Sequence, residues 1–196
     1  MKTCTKLPKS HQGNQIACIE LDQSPVLSRL IKIVSAVLAL VLFLIGYLIF
    51  PVNALLEMDN AFVHLTALML GMMSVFLIHE LLRGLLMRLF SGVKPIIRYA
   101  GSYPIAASEA YFGRNVQQVI NVVPAVVTVA MVLMLLLTAA DPTWKWIFWL
   151  ILTVGICSCV GDVYVIIRMM YLPEDILVQN VGRTYLVYSA TAAEEN

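Results

Sequence analysis

Four apolar stretches, at about residues 30–50, 61–82, 116–140 and 144–170, constrain this chain more than any other feature. A helix needs about 20 apolar residues to cross roughly 30 Å of hydrocarbon, and each stretch meets that length. Lipid offers backbone groups no partner, and the stretches are too long for barrel strands, so helices are the expected form. Composition agrees: 60% of the 196 residues are hydrophobic and 13% charged, against about 45–50% and 25% in soluble domains. That balance excludes a soluble, disordered or disulfide-stapled chain. No basic tract interleaved with aromatics points to nucleic acid. The first stretch is too long, and starts too far in, for a cleaved signal peptide.

The expected fold class is therefore an all-α membrane protein with about four transmembrane helices. Short extended or β segments are expected in the loop at 91–115 and in the tail at 173–189. In the tail, Ile176, Val178 and Tyr185 to Tyr188 suggest strands around a turn at Asn180 to Gly182. The expected organisation is an N-terminal tail over 1–25, polar and unstructured, a membrane domain over 26–190, and a frayed C-terminal tail over 191–196. No internal repeat is visible, which disfavours an inverted-repeat transporter.

Charge placement gives an orientation. Of the 13 basic residues, all but Lys145 fall before or at the start of the first stretch, between the second and third, or near and beyond the end of the fourth. The loop between the first two stretches has Glu57 and Asp59 and no Lys or Arg. The positive-inside rule then makes both termini cytoplasmic and places Trp144, Trp146 and Trp149 at the outer interface. Cys4 and Cys18 would stay reduced on the cytoplasmic side. Cys157 and Cys159 do not have the C-x-x-C spacing of a redox or zinc site.

Ionisable residues inside spans are expensive and each needs a reason. The second stretch ends in His79-Glu80-Leu81-Leu82-Arg83-Gly84, and the fourth carries Asp162 after Gly161. His79 precedes Arg88 by nine residues, and Asp162 precedes Arg168 by six. At helical rise both groups lie roughly 9–14 Å above the basic end of their stretch. Charges from two helices at one depth should face each other rather than lipid. The third stretch adds Gln117, Gln118 and Asn121, then Pro124, which frees backbone carbonyls and can open a gap.

His79-Glu80-x-x-Arg83 resembles the H-E-x-x-H helix of zinc metalloproteases, in which two histidines hold the metal and the Glu activates water. The chain also resembles a membrane family of unknown function known as putative zincin peptidases, which is similar to the site-two proteases. The resemblance rests on HELLRGLLMRLF at 79–90, KP at 94–95, Asn121 with Pro124, GDVYVI at 161–166 and PEDILVQNVGRTYLVY at 173–188. It spans roughly residues 60–190. It implies zinc held by His79 and Asp162, Glu80 as general base, and a gap near Asn121 and Pro124 that receives a membrane peptide.

One departure decides the chemistry. Arg83 occupies the position of the second histidine, and a guanidinium has donors only and keeps its proton. Two protein ligands are fewer than the three usual in catalytic zinc sites. Arg83 instead reads as a fixed positive charge in place of the metal, paired with Glu80 at i+3 and with Asp162 across an interface. The leading expectation is a degenerate, non-catalytic zincin-like protein in the lipid bilayer. It would need no zinc, and it would bind a membrane peptide or protein partner. The alternative is an active metallopeptidase whose zinc is held by His79, Cys159 and Asp162. A proton relay or transporter using His79, Glu80 and Asp162, and a purely structural subunit, complete the set.

Overall fold

The computed structural model describes residues 3–8, 11, 14–21, 25–56, 60–100 and 103–189. The expected C-terminal tail at 191–196 and the loop acids Glu57 and Asp59 lie outside the described residues. The elements in chain order begin with β1 (Thr3–Cys4), β2 (Gln15–Glu20), α1 (Pro25–Ile49), α2 (Asn53–Leu56) and α3 (Ala61–Ser91). Three strands follow, β3 (Ile96–Ala100), β4 (Tyr103–Ala107) and β5 (Tyr111–Gly113), and then α4 (Arg114–Thr138). The chain closes with α5 (Pro142–Ser158), α6 (Val160–Met170), β6 (Ile176–Asn180) and β7 (Thr184–Ser189). Four helical segments are long and apolar enough to cross a membrane: α1, α3, α4, and α5 with α6. The protein is thus mainly helical, with small sheets, as its sequence implies.

The chain divides into two compact units. One comprises Arg29–His79 and Pro124–Val160. Its core is Val75, Val132, Leu136, Ile147, Ile151 and Leu152. Glycines set its close approaches: a Cβ on Gly71 would collide with Ile151, and one on Gly46 with the Trp149 indole. The Trp149 indole N–H donates to the Leu42 carbonyl (2.9 Å), and that of Trp146 to the Pro51 carbonyl (3.0 Å). Trp146 is fully buried, and both indoles cross-link the helices by these bonds. A buried indole N–H needs a partner, and backbone carbonyls of α1 and of the turn after it supply one. Asp141 caps α5, its carboxylate accepting from the backbone N–H groups of Thr143 and Trp144, with Pro142 at the first helical position. Those two donors lower the Asp141 pKa below its ordinary value. Large apolar residues along α1 and α3, such as Leu48 and Phe62, stay exposed, as lipid-facing positions do.

The other unit comprises Met1–Ser28, Glu80–Val123 and Gly161–Asn196. It holds a five-stranded sheet in the order β1-β5-β6-β7-β2, antiparallel throughout. The β6–β7 turn falls where the tail sequence predicts it. Gly182 has φ +99°, and the Asn180 side chain accepts from its N–H at 2.9 Å. Such a backbone angle favours glycine. Alternation puts Ile176, Val178, Tyr185 and Val187 on one face, packed with Ile19, Val165 and Met169. A second cluster joins Met87, Ala106, Ala110, Phe112, Val116 and Ile120.

Two expectations need correction. The N-terminal segment, read as an unstructured tail, supplies β1 and β2, and β2 pairs with β7 from Gln15↔Tyr188 to Glu20↔Thr184. Its run QIACIE is short, with only four apolar residues between polar ends, and becomes a strand because β7 offers it an edge. The loop at 91–115, by contrast, carries the extended segments expected of it: a β3–β4 hairpin followed by β5, with Ile97 opposite Ala106 and Tyr99 opposite Pro104. The fourth apolar stretch is also not one straight helix. It breaks at Cys159, which caps α5, and restarts one residue later as α6. That break puts Asp162 in the first turn of α6, where the helix dipole favours negative charge.

Candidate functional site

The charged residues of the second unit converge at the end of α3. Arg83 is 5% exposed. Its Nη1 donates to Glu80 Oε1 at 2.9 Å and its Nη2 to Asp162 Oδ1 at 2.5 Å. Helical spacing accounts for the first pair, since residues three apart share a face. The second is tertiary and joins α3 to the first turn of α6. The other Glu80 oxygen, Oε2, accepts from the backbone N–H of Ala106 at 2.9 Å. Glu80 therefore ties α3 to strand β4 and holds the guanidinium on its own helix.

The Ala106 bond also explains the hairpin. In an antiparallel pair, residues directly opposite either exchange both hydrogen bonds or neither. Ala106 points its N–H at Glu80, so the Ile97–Ala106 pair exchanges none. Two residues along, Tyr99 faces Pro104 in the same register, where proline's missing N–H leaves no bond unmade. Glu80 thus occupies a donor on the inner edge of β4. The outer edge of β3 turns the N–H groups of Ile97 and Tyr99 outward.

A neutral polar group adjoins the ion pairs. Asn121 and Gln117 are fully buried, and Gln117 Nε2 donates to Asn121 Oδ1 at 3.0 Å. The Tyr185 side chain, projecting from β7, lies beside Asn121 and feels the charges of Arg83, Asp162 and Glu80. Burial is the largest influence on this phenol and drives its pKa well above the ordinary value. Tyr185 therefore stays a neutral hydroxyl. Close backbone approach makes room for the arrangement: a Cβ on Gly84 would touch Pro95 and Ala106, as expected where a helix meets a strand.

Of the residues singled out from sequence, the structure brings Glu80, Arg83 and Asp162 into contact, and Asn121 into the same unit beside Tyr185. His79, Cys159 and Pro124 belong to the first unit. His79 is 8% exposed. The Cys159 thiol donates to the Gly155 carbonyl one turn back (3.2 Å). Among the described residues, no group of three or more His, Cys, Asp or Glu side chains is placed to hold a metal ion. Sequence reasoning missed Tyr185 and the Ala106 N–H. The Tyr185/Val187 alternation marks an inward face, but nothing in it says that the face meets charge. The i, i+4 spacing of Gln117 and Asn121 was the available signal for their pairing.

A family model described as "Putative zincin peptidase" matches residues 72–177. The chain belongs to this family. The match covers more than half of the sequence and includes the end of α3, the β3–β4 hairpin and α6. No curated protein and no solved structure matches the chain. The zinc that the family name implies does not fit the donors present. Both Glu80 oxygens are engaged, one Asp162 oxygen holds Arg83, and the guanidinium offers no lone pair.

Proposed function

We propose that this chain is a non-hydrolytic zincin-like membrane protein, in which the Arg83 guanidinium supplies permanently the positive charge that zinc supplies in a working site. The observation carrying this reading is the fork of Arg83 onto Glu80 and Asp162. A general base must be free to take a proton from water, and this Glu80 is held by a cation and by a backbone N–H. What such a site retains is a fixed polar floor, with Asn121 and Tyr185 beside it, suited to holding a membrane peptide or protein partner without cleaving it.

Sheet pairing supports the proposed topology. Strands from before α1, from between α3 and α4, and from after α6 share one sheet. If all four apolar segments cross, those strands must lie on one side. The basic residues concentrated there make that side cytoplasmic under the positive-inside rule.

Metal analysis of the purified full chain tests the reading. The native protein is expected to carry far less than one zinc per chain, and Arg83→His to gain zinc that His79→Ala then removes. A stoichiometric zinc in the native protein that disappears in Cys159→Ala would overturn the proposal in favour of a rebuilt His79, Cys159 and Asp162 site.

A further inference from the structure

The β3–β4 hairpin is asymmetric. β4 is buried, with Ile105, Ala106 and Ala107 at 3–5% exposure, whereas β3 presents Ile96, Ile97, Arg98 and Tyr99 to the exterior. On α3, the helix that leads into the hairpin, Leu81, Leu85 and Leu89 are exposed as well. Gly92, at φ +71°, turns the chain from helix to strand. Charge along this segment has one sign. Between Glu80 and Glu109 there is no acidic residue, and there are four basic ones. Arg83 is paired internally. Arg88, Lys94 and Arg98 are exposed and make no ion pair among the described residues.

A protein partner would be expected to answer three exposed cations with acids. A bilayer surface answers apolar side chains and cations together, burying the former at the acyl boundary and placing the latter among headgroups. Depth is bounded as well. The outward N–H groups of Ile97 and Tyr99 would be unsatisfied in hydrocarbon but not among hydrated headgroups. A tyrosine ring belongs at that same level.

We infer that the β3 face of the hairpin is a lipid-contacting surface that rests at the headgroup level of the membrane and selects anionic lipid through Arg88, Lys94 and Arg98. Each basic residue near an anionic surface strengthens attachment by about fivefold, so the three together distinguish an anionic from a zwitterionic leaflet clearly. Because Glu80 holds the inner edge of the same hairpin, headgroup contact would also steady the ion-pair cluster.

The test places the full-length protein in nanodiscs of pure phosphatidylcholine, or of phosphatidylcholine with phosphatidylglycerol, and follows hydrogen exchange at Ile97 and Tyr99. Exchange is expected to slow when phosphatidylglycerol is present. The slowing should fade at high salt and in the Lys94→Gln/Arg98→Gln variant, and return in Arg98→Lys, since charge rather than guanidinium geometry is required. Unchanged exchange in β6 serves as the check that the variants fold. Equal exchange in both lipids would overturn the inference. So would protection that appears only when an extended peptide is added in detergent, which would make the outer edge of β3 a strand-pairing site instead.

Discussion

Replacing Arg83 with methionine removes the guanidinium that two carboxylates share. The side chains of Arg83, Asp162 and Glu80 are 6%, 11% and 17% exposed, so water can do little to compensate the loss. Breaking a buried pair by removing one partner costs about 3–5 kcal/mol, chiefly because the other charge is left stranded. Glu80 keeps the Ala106 N–H. Arg83→Lys should cost less, about 1.5–3 kcal/mol, because an ammonium can hold one carboxylate but cannot fork onto both. The triple variant Glu80→Gln/Arg83→Met/Asp162→Asn is the decisive control. It strands no charge and should be more stable than Arg83→Met alone. Equilibrium unfolding in maltoside micelles titrated with dodecyl sulfate, followed by exchange protection of β6 and β7, measures all three. An Arg83→Met chain within about 1 kcal/mol of the native one, or a triple variant less stable than the single, would refute the claim that this guanidinium holds the two acids in place.

Three further outcomes follow from local geometry. Gly46→Ala should destabilise by about 1–3 kcal/mol, because the new methyl meets the Trp149 indole and disturbs its bond to Leu42; a rise in tryptophan exposure on quenching would report it. Tyr185→Phe keeps the ring but removes the hydroxyl beside Asn121, and should cost about 0.5–1.5 kcal/mol in the same unfolding assay. Asp141 has a lowered pKa because backbone N–H groups cap its charged form. Its contribution is therefore complete above the ordinary aspartate range and is lost as pH falls through the lowered value. Asp141→Asn should flatten that acid-side slope of stability against pH.

The helices were legible because lipid leaves a chain few options, and apolar length alone reveals them. The β6–β7 hairpin was legible too, since a glycine turn between alternating strands is a local signal. What stayed hidden depended on partners remote in sequence. QIACIE becomes a strand only beside β7, and the hairpin within 91–115 has its Ala106 amide turned to a carboxylate far away on α3. The Arg83–Glu80 contact could be read from helical spacing. The Arg83–Asp162 contact needed an argument from depth as well. The fold of the candidate site onto Tyr185 had no counterpart in any local pattern, because a strand's alternation tells which way a side chain points but not what it meets.

Every β2–β7 register pair joins residues at least 164 positions apart. Synthesis therefore produces β2, one border of the sheet, long before its neighbour β7. Until the last strand leaves the ribosome, β2 has no mate, and closing so large a loop is slow compared with forming the β6–β7 hairpin. β2 is thus made early and seated late, and a chain cut short before Thr184 would leave that strand without its partner.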